Sequence, residues 1–474
     1  MAFKEYGNYD GVGLADLVRK KQVTPKELLD EALARTAKVD PQLNAVVVKH
    51  YDYAERQIEQ GLPDGPFKGV PFLLKDLEYL GGTRTTFGAT IFKDVVADHS
   101  GTFAQRCLDA GLTIFGKSAS PEMGLLPTTE PRLHGPTRNP WNLAHSSGGS
   151  SGGAAAAVAA RILPVAHASD GGGSIRIPSS ACGVFGLKPT RARNPVGPDR
   201  GEGWGGFSCG HVVSISVRDS AAMLDAIAGP EPTSIYYAPA PARPFVEEVR
   251  REPDRLRIAF TDQSPYGEAI DPEIAAAVRN VAAMLGKLGH HVEQRAPKLP
   301  ADPAEVMMTI VSANTALTVR QARQRFGRAM TDKDFELLTL AMAHNAQQAS
   351  ATDYVAAQSA AYQISRALSE FMGSCDVFLA PTLCAPPLRL GELNSMSQDL
   401  SHIGPTLRRY MPGTSMFNIS GQPAMSVPLA WSKSGLPLGM MFAARFGDEA
   451  TLFRLAAQLE QERPWKAKLP PVCA

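Results

Sequence analysis

Two segments dense in glycine and serine, residues 146–153 and 169–174, contain the residue types and spacing that could do chemistry. A flexible linker would not be followed at once by an alanine-rich helix and a second such cluster, so we interpret the two segments as one site. Three glycines directly before Ser174 would let successive backbone N–H groups point into one pocket. An oxyanion formed during acyl transfer requires such donors, and Ser174 is therefore the candidate nucleophile.

A serine hydroxyl needs a base to become a nucleophile, and the sequence offers three kinds of candidate. One is Asp170, one is Lys75 at the end of an apolar strand, and the third is a group of nearby histidines. Desolvation of Lys75 would lower its pKa and supply a neutral amine near pH 7, and a serine between Lys75 and Ser174 could pass the proton. The residue types alone leave the choice open. The histidines, for which we expect packing or hydrogen-bonding roles, are His134, His145, His167 and His211.

Helices and strands alternate along the chain, and this order predicts an α/β protein with a central sheet and outer helices. Thr24-Pro25-Lys26-Glu27 combines a capping threonine, an early proline and a glutamate at the third helical position, which predicts an amphipathic helix. The glycine-rich stretch 197–206 predicts a surface loop or an active-site lid, with Trp204 as a residue that could cover the substrate. Apolar runs predict strands at 45–48, 69–74, 112–115, 256–260, 377–380, 425–429 and 440–444. Helical spacing predicts helices at 272–288, within 304–367 and at 450–462.

Composition excludes several classes of protein. The 474 residues carry 48 Lys plus Arg against 47 Asp plus Glu, so there is no strong field to attract nucleic acid or an anionic membrane. Six scattered cysteines without a C-x-x-C pair disfavour a zinc cluster or a disulfide framework, and a reducing cytoplasm fits them best. Two of them near the site, Cys182 and Cys209, are expected to be buried and inert. The N-terminus lacks a signal-peptide pattern, and no stretch approaches 18 apolar residues, so we expect a cytoplasmic protein without a membrane partner.

Three motifs lie around the glycine clusters: Gly-Ser-Ser-Gly-Gly at 149–153, Gly-Gly-Ser-Ile-Arg-Ile-Pro at 172–178 and Cys-Gly-Val-Phe-Gly-Leu-Lys-Pro-Thr at 182–190. Together they resemble the amidase signature family. Further similar pieces, among them Gly-Val-Pro at 69–71 and Phe-Asn-Ile-Ser-Gly-Gln-Pro-Ala at 417–424, extend the resemblance from about residue 14 to residue 460. The scaffold stretches 128–143 and 463–465 look most similar to the 6-aminohexanoate cyclic dimer hydrolase branch of that family.

The resemblance implies an amidase signature fold, with a central mixed twisted β-sheet flanked by α-helices on both faces. It implies a single domain over residues 1–474. Its expected parts are an N-terminal helical part (1–65), a signature core with a Lys-Ser-Ser site (66–195), a variable substrate-pocket region (230–420) and a C-terminal return to the core (421–474).

The resemblance also assigns roles to individual residues. Ser174 would be the nucleophile, Ser150 the serine that follows a cis Gly149–Ser150 peptide, and Lys75 the base. Ser151 would be either a hydrogen-bond partner of this relay or the N-cap of the alanine helix. The backbone N–H groups expected to form the oxyanion hole are those of Gly171, Gly172, Gly173 and Ser174. The residues expected to support the site are Gly149, Ser151, Asp170 and Arg176.

The sequence departs from the family pattern at Gly171, where the family usually has threonine, and this change is expected to loosen the loop or widen the pocket. The expected activity is hydrolysis of amide C–N bonds through an acyl-enzyme, on apolar, aryl or oligoamide substrates of the nylon-oligomer kind, with esterase or urethanase side activity. Trp204 and Met123 are the candidate pocket residues. The stretches 307–346 and 400–416 are expected to shape the pocket, and their arginines Arg320, Arg323, Arg408 and Arg409 could be carboxylate anchors or helix-face charges. We expect no cofactor, no metal and no nucleic-acid partner, and a homodimer remains open.

Two other functions remain as alternatives. The first is the amidase subunit of a tRNA-dependent amidotransferase, but that subunit typically has Ser-Ile-Arg-Gln-Pro where this chain has Ile177. The second is an α/β-hydrolase esterase, because residues 148–152 match the G-x-S-x-G pattern of a nucleophile elbow. An elbow serine should follow an apolar strand, whereas residues 139–145 are polar and contain a proline, which disfavours the esterase.

Overall fold

Strands form three sheets in the computed structural model, which describes Phe3 and residues 5–474. Together with the helices they confirm the predicted α/β class. The strands in the described residues are β1 Val46–Lys49, β2 Pro71–Lys75, β3 Thr113–Ser118, β4 Arg138–Asn139, β5 Asn142–Ser146, β6 Val165–Asp170, β7 Phe185–Lys188, β8 Cys209–Ser214, β9 Arg257–Phe260, β10 His291–Gln294, β11 Val377–Pro381, β12 Ala424–Trp431 and β13 Pro437–Ala444.

Helices connect and cover these strands. The helix predicted from Thr24-Pro25-Lys26-Glu27 begins at Pro25, and Thr24 and Glu27 form the reciprocal capping box. The α-helices are α1 Gly11–Arg19, α2 Pro25–Leu43, α3 Tyr51–Gln60, α4 Thr102–Asp109, α5 Gly152–Ala159, α6 Arg176–Cys182, α7 Val217–Ile227, α8 Phe245–Glu248, α9 Pro272–Lys287, α10 Pro303–Phe326, α11 Leu337–Gln348, α12 Ala351–Gly373, α13 Ile403–Tyr410, α14 Met416–Ser420 and α15 Glu449–Glu462.

The largest sheet has eight strands in the order β10-β9-β11-β13-β12-β7-β8-β6. Strand β9 runs parallel to β10 and β11, whereas the other neighbours are antiparallel, so the sheet is mixed as predicted. Side chains alternate between its faces. On β13, Met440 and Phe442 pack with α7, α9 and α15, whereas Met441 and Ala443 pack with α10, α12 and α14. Helices therefore cover both faces.

A three-stranded sheet in the order β1-β3-β2 lies beside the large one. Its edge strand β2 meets β6, the edge strand of the large sheet, and the backbone N–H of Lys75 donates to Nδ1 of His167 at 3.2 Å. The last residues of β2 and β6, Lys75 and Asp170, are therefore brought into one region from different sheets.

Helix α5 fixes the first glycine-serine segment against the small sheet. All its residues are buried, and none is larger than valine. A β-carbon at Gly153 would lie 2.3 Å from the backbone nitrogen of Ala119, so only glycine allows the helix to come this close to the end of β3. Ser150 lies just before this buried helix and is held at the junction of the two sheets.

Candidate active site

Lys75 and Ser150 form a direct hydrogen bond at the junction of the two sheets. The side-chain nitrogen of Lys75 lies 2.7 Å from Oγ of Ser150 and 3.0 Å from Oγ of Ser169. Lys75 is fully buried, and this burial lowers the pKa of its ammonium group to about 7, although the negative charge of Asp170 acts in the opposite direction. At neutral pH Lys75 can therefore supply an uncharged amine to a serine hydroxyl.

Ser150 and Ser174 line the same cavity, and the peptide bond between Gly149 and Ser150 is cis. Ser150 is 3% exposed and Ser174 is 9% exposed. The two segments are joined where the N–H of Ser151 donates to the carbonyl oxygen of Ser174 at 3.3 Å. Within the described chain no hydrogen bond links the two hydroxyls, and a proton can pass between them only once they are within hydrogen-bond distance.

Gly171 and Ser174, in the loop that follows β6, line the cavity, and this loop carries a run of backbone N–H groups. In the described residues, those of Gly171, Gly172, Gly173 and Ser174 have no hydrogen-bond acceptor. Gly173 has a φ of +138°, and a β-carbon there would lie 2.6 Å from Oγ1 of Thr414, so the turn requires glycine. These free donors have the chemistry that an oxyanion needs.

A buried ion pair anchors this loop. Arg176 and Asp170 are both inaccessible to solvent, and the guanidinium donates to the two carboxylate oxygens at 3.0 Å and 2.9 Å. Arg176 also donates to the carbonyl of Thr414 and to Oδ1 of Asn418. Burial alone would raise the pKa of Asp170, but the charge and hydrogen bonds of Arg176 lower it to about 2. Asp170 is thus a structural anion and a poor base.

Two residues outside the predicted site contact it. The hydroxyl of Ser169 accepts a hydrogen bond from the side-chain nitrogen of Lys75. Oγ1 of Thr414 donates to the carbonyl oxygen of Gly172 at 2.6 Å. The position of Ser169 inside the second glycine-serine cluster was a usable signal in the sequence. Thr414 belongs to the stretch 400–416 that was expected to shape the pocket, but no feature of the sequence indicated its particular contact with Gly172.

Ser151 holds Ser169 in place. Its Oγ donates to the carbonyl oxygen of Ser169 and accepts from the N–H of the same residue, both at 3.2 Å. Although Ser151 occupies the N-cap position of α5, its side chain makes no capping hydrogen bond. Ser151 is thus not the helix cap, and in the described residues its side chain bonds to the backbone of Ser169 rather than to a side chain of the predicted relay.

The four histidines near the cluster have other partners. None of them hydrogen bonds to Ser150 or Ser174 in the part of the chain that the structure describes. His167 accepts from the backbone of Lys75, and burial lowers its pKa well below the usual range. The hydrogen-bond partners of the other three are Thr86 for His134, the carbonyl of Pro387 for His145, and Ser220 for His211.

The cavity over the two serines has a volume of about 290 Å³. Trp204 and Met123 line it, as expected. One acidic residue, Glu78, also lines it, and burial raises the pKa of its carboxyl to about 7 although the charge of Arg200 lowers it. The other large apolar or aromatic lining residues are Leu77, Tyr79, Phe87, Phe92 and Phe103.

The predicted pocket stretches contribute unequally. From 307–346 the cavity receives Thr318, Gln321, Ala322 and Arg325, all on α10. From 400–416 no described residue lines the cavity. Arg408 instead pairs with Asp302 and lies over the ring of Tyr266. The wall also includes residues from 195–210, which lie outside the expected 230–420 region.

The cysteines and the remaining donor groups lie apart from this chemistry. Cys182 and Cys209 are buried, and burial raises the pKa of both thiols.

Over Phe3 and residues 5–474, no cluster of three or more His, Cys, Asp or Glu side chains has the arrangement of a metal site. Among the helices of that same part, none is both long and apolar enough to cross a membrane.

Comparison with known proteins identifies the family. A sequence model described as Amidase matches residues 27–453. Two proteins named 6-aminohexanoate-cyclic-dimer hydrolase, from Pseudomonas sp. (strain NK87) and Paenarthrobacter ureafaciens, are each 38% identical to this chain, with 97% of this chain and 96% of theirs aligned.

Solved structures agree with the sequence comparison. A 6-aminohexanoate cyclic dimer hydrolase superposes with a TM-score of 0.93 at 36% identity, over 98% of this chain and 99% of that one. A bacterial aryl acylamidase of the amidase signature enzymes superposes with a TM-score of 0.88 at 26% identity, over 98% of both chains. The protein is thus a hydrolase that acts on carbon–nitrogen bonds other than peptide bonds. It belongs to the amidase family, as an amidase signature enzyme.

Proposed function

We propose that this amidase uses Ser174 as its nucleophile, Ser150 as the proton relay and Lys75 as the base, and that it works through an acyl-enzyme. The observation that carries the proposal is the 2.7 Å contact between the buried Lys75 nitrogen and Oγ of Ser150. Burial lowers the pKa of Lys75 to about 7, so a large share of the enzyme has the neutral amine at neutral pH.

Acylation begins when Oγ of Ser174 attacks the amide carbonyl carbon. The Ser174 proton passes to Oγ of Ser150 while the Ser150 proton passes to the amine of Lys75. The carbonyl oxygen becomes an oxyanion and accepts hydrogen bonds from the free N–H groups of residues 171–174. A new C–O bond exists at this point, and the C–N bond is still intact.

The same relay then runs in reverse. Lys75 returns its proton to Ser150, Ser150 gives its proton to the leaving nitrogen, and the C–N bond breaks to release an amine. Water attacks the Ser174 ester with the same base assistance and releases the carboxylic acid. All three side chains return to their starting protonation states, so the cycle requires only water and the amide.

The substrate class follows from the cavity lining. Its aromatic and aliphatic side chains favour a substrate with an apolar, aryl or oligomethylene group. The similar proteins that carry the name 6-aminohexanoate-cyclic-dimer hydrolase support an oligoamide, and the aryl acylamidase supports an anilide. Because esters are easier acyl donors than amides, the acyl-enzyme route also predicts ester and aryl carbamate hydrolysis.

A direct test measures amine release by purified protein from an aliphatic amide, an anilide, a cyclic aminohexanoate oligomer and an aryl carbamate. Wild type is compared with Ser174→Ala, Ser150→Ala and a matched control, Ser179→Ala. Ser179 is also a buried serine, and its hydroxyl has no hydrogen-bond partner in the structure, so its loss should leave turnover intact.

We expect release by wild type and Ser179→Ala, and a loss of about 10³-fold or more in the other two variants. An ester substrate in excess should add one acyl mass to the peptide that contains Ser174. Equal release by wild type and Ser174→Ala would refute the nucleophile assignment. Turnover by the isolated wild-type chain would also exclude the need for a partner subunit, as the amidotransferase alternative requires.

A further inference from the structure

The ring of Trp204 fills the space that a side chain at position 171 would need. A β-carbon built on Gly171 would lie 2.5 Å from Cε3 and 2.6 Å from Cζ3 of the Trp204 ring, well inside van der Waals contact. The ring therefore covers the first residue of the oxyanion loop, at the position where the sequence departs from the family pattern. Gly171 leaves no empty space in the pocket, because Trp204 fills it.

Trp204 is held firmly, although it lies in the glycine-rich stretch predicted to be a surface loop or a lid. The N–H of Phe207 donates to the carbonyl of Trp204 at 3.2 Å, which closes a tight turn. Two side chains hold this turn from outside: Arg191 donates to the carbonyl of Gly206 at 2.6 Å and Asn418 donates to that of Phe207 at 3.1 Å. The indole is therefore a fixed wall of the cavity.

The other side of the ring packs on the helices. Trp204 belongs to an apolar cluster with Met307 and Ile310 of α10 and Tyr354 of α12. Its remaining surface faces the cavity together with Gly171 and Ser174. Trp204 and Ser174 thus line one cavity, and the ring contacts the loop whose N–H groups would hold the carbonyl oxygen of the substrate.

We propose that Trp204 is a specificity-determining residue that restricts the acyl subsite to slim groups. An unbranched methylene chain or a flat ring fits beside the indole, whereas an acyl group branched at the carbon next to the carbonyl meets it. This inference rests on the proposed role of Ser174. It assigns the amidase to straight-chain and planar acyl groups and excludes branched ones.

The contact between position 171 and Trp204 can be tested by mutation, because a second substitution should restore activity that the first one removes. Gly171→Ala places a methyl group against the ring and displaces the oxyanion loop, which should lower kcat/KM by about 100-fold. Trp204→Phe removes Cε3 and Cζ3 but keeps an aromatic ring against Met307 and Tyr354. The double variant should therefore recover at least tenfold over Gly171→Ala alone. Recovery is the opposite of what two independent defects would give.

Gly172→Ala serves as the matched control. A β-carbon at Gly172 would meet Cε of Met307 at 3.5 Å, an ordinary contact, and no atom of Trp204. Trp204→Phe should therefore change kcat/KM by the same factor in Gly172→Ala as in wild type. Thermal unfolding of each variant shows whether it is folded, and Trp204→Leu replaces Trp204→Phe if the latter unfolds.

Selectivity is measured on 4-nitroanilides that share one leaving amine and carry acetyl, hexanoyl, benzoyl or pivaloyl groups. The ratio of kcat/KM for pivaloyl to that for hexanoyl should rise at least tenfold in Trp204→Phe. An unchanged ratio, or additive losses in the Gly171→Ala and Trp204→Phe double variant, would overturn the inference. Turnover that persists in Ser174→Ala would instead refute the proposed nucleophile, so the two failures are distinguishable.

Discussion

The side-chain nitrogen of Lys75 lies 2.7 Å from Oγ of Ser150. Lys75 and the loop that carries Ser174 belong to two different sheets. Lys75 ends β2 of the three-stranded sheet, whereas the Ser174 loop follows β6 of the eight-stranded sheet. The proposed base and nucleophile thus depend on how two sheet edges meet.

Replacement of Lys75 by methionine should strongly reduce turnover and stabilise the fold. The loss of the base should lower kcat by about 10²–10⁴-fold. The free energy of unfolding should rise by roughly 1–4 kcal/mol, because a buried ammonium group is costly. In the unfolded chain Lys75 has its ordinary pKa of 10.5, and in the folded protein about 7, so this gain is full below pH 7 and disappears as the pH rises to 10.5.

Lys188→Met is the matched control for that experiment. Lys188 is also fully buried, its pKa is also lowered by burial, and its nitrogen donates to the carbonyl of Pro189 at 2.7 Å. It does not line the cavity, so this variant should retain turnover. Denaturant unfolding and anilide kinetics on both variants separate the two effects, and retained turnover in Lys75→Met would rule out Lys75 as the base.

The rate should depend on pH through the neutral form of Lys75. For an uncharged anilide, kcat/KM should fall tenfold per pH unit below about pH 7 and level off above it. Glu78 also lines the cavity and its pKa is also raised to about 7, so Glu78→Gln decides between the two groups. The acidic limb should persist in this variant, and its disappearance would assign the titration to Glu78.

Ser169 should position Lys75 without taking part in the bonds that form and break. Ser169→Ala removes a hydroxyl 3.0 Å from the Lys75 nitrogen and should lower kcat by about tenfold, the value of one neutral hydrogen bond. The charged form of Lys75 also loses a partner, so the acidic limb of the pH profile should move to lower pH. Ser169→Thr keeps the hydroxyl and should restore both quantities; a variant with a normal rate and limb would make Ser169 merely structural.

The buried Arg176–Asp170 pair should be far more sensitive to substitution than an exposed pair of similar geometry. Arg176→Lys cannot make the same set of hydrogen bonds and should cost about 3–5 kcal/mol of unfolding free energy. Arg257→Lys changes a two-point contact with Asp376 in which the arginine is half exposed, and it should cost less than about 1 kcal/mol. Urea titrations of both variants give the comparison, and equal losses would contradict it.

The same pair should contribute to acid resistance. Because the folded pKa of Asp170 is about 2 and its ordinary value is 3.8, the stability that the pair adds is complete above pH 4. It is lost as the pH falls through about 2. In Asp170→Asn this part of the acid unfolding curve should be absent.

Local sequence was enough to predict elements whose signals lie within a few residues. The capping box at Thr24 located the start of α2, and the apolar run 377–380 located β11, which extends one residue further to Pro381. The motifs also predicted correctly that the chain is an amidase signature enzyme with a mixed sheet covered on both faces.

Features that depend on distant contacts were beyond such reasoning. The order of the eight strands, in which β6 lies at the edge beside β8, is set by packing across the whole chain. Thr414 reaches Gly172 over 242 residues of sequence. The hydrogen bonds of Ser151 depended on where Ser169 lies, and the reason for glycine at 171 depended on the position of a tryptophan ring.

Because β2 and β6 belong to different sheets, the activity of this enzyme reports whether the two sheets are docked against each other. Lys75 and Ser150 come into register only when the small sheet is docked against the large one, through contacts such as that of the Lys75 backbone with His167. Most of the helical signal, by contrast, comes from helices that cover the eight-stranded sheet. Mild denaturant that separates the sheets would therefore silence turnover while circular dichroism still records a folded chain.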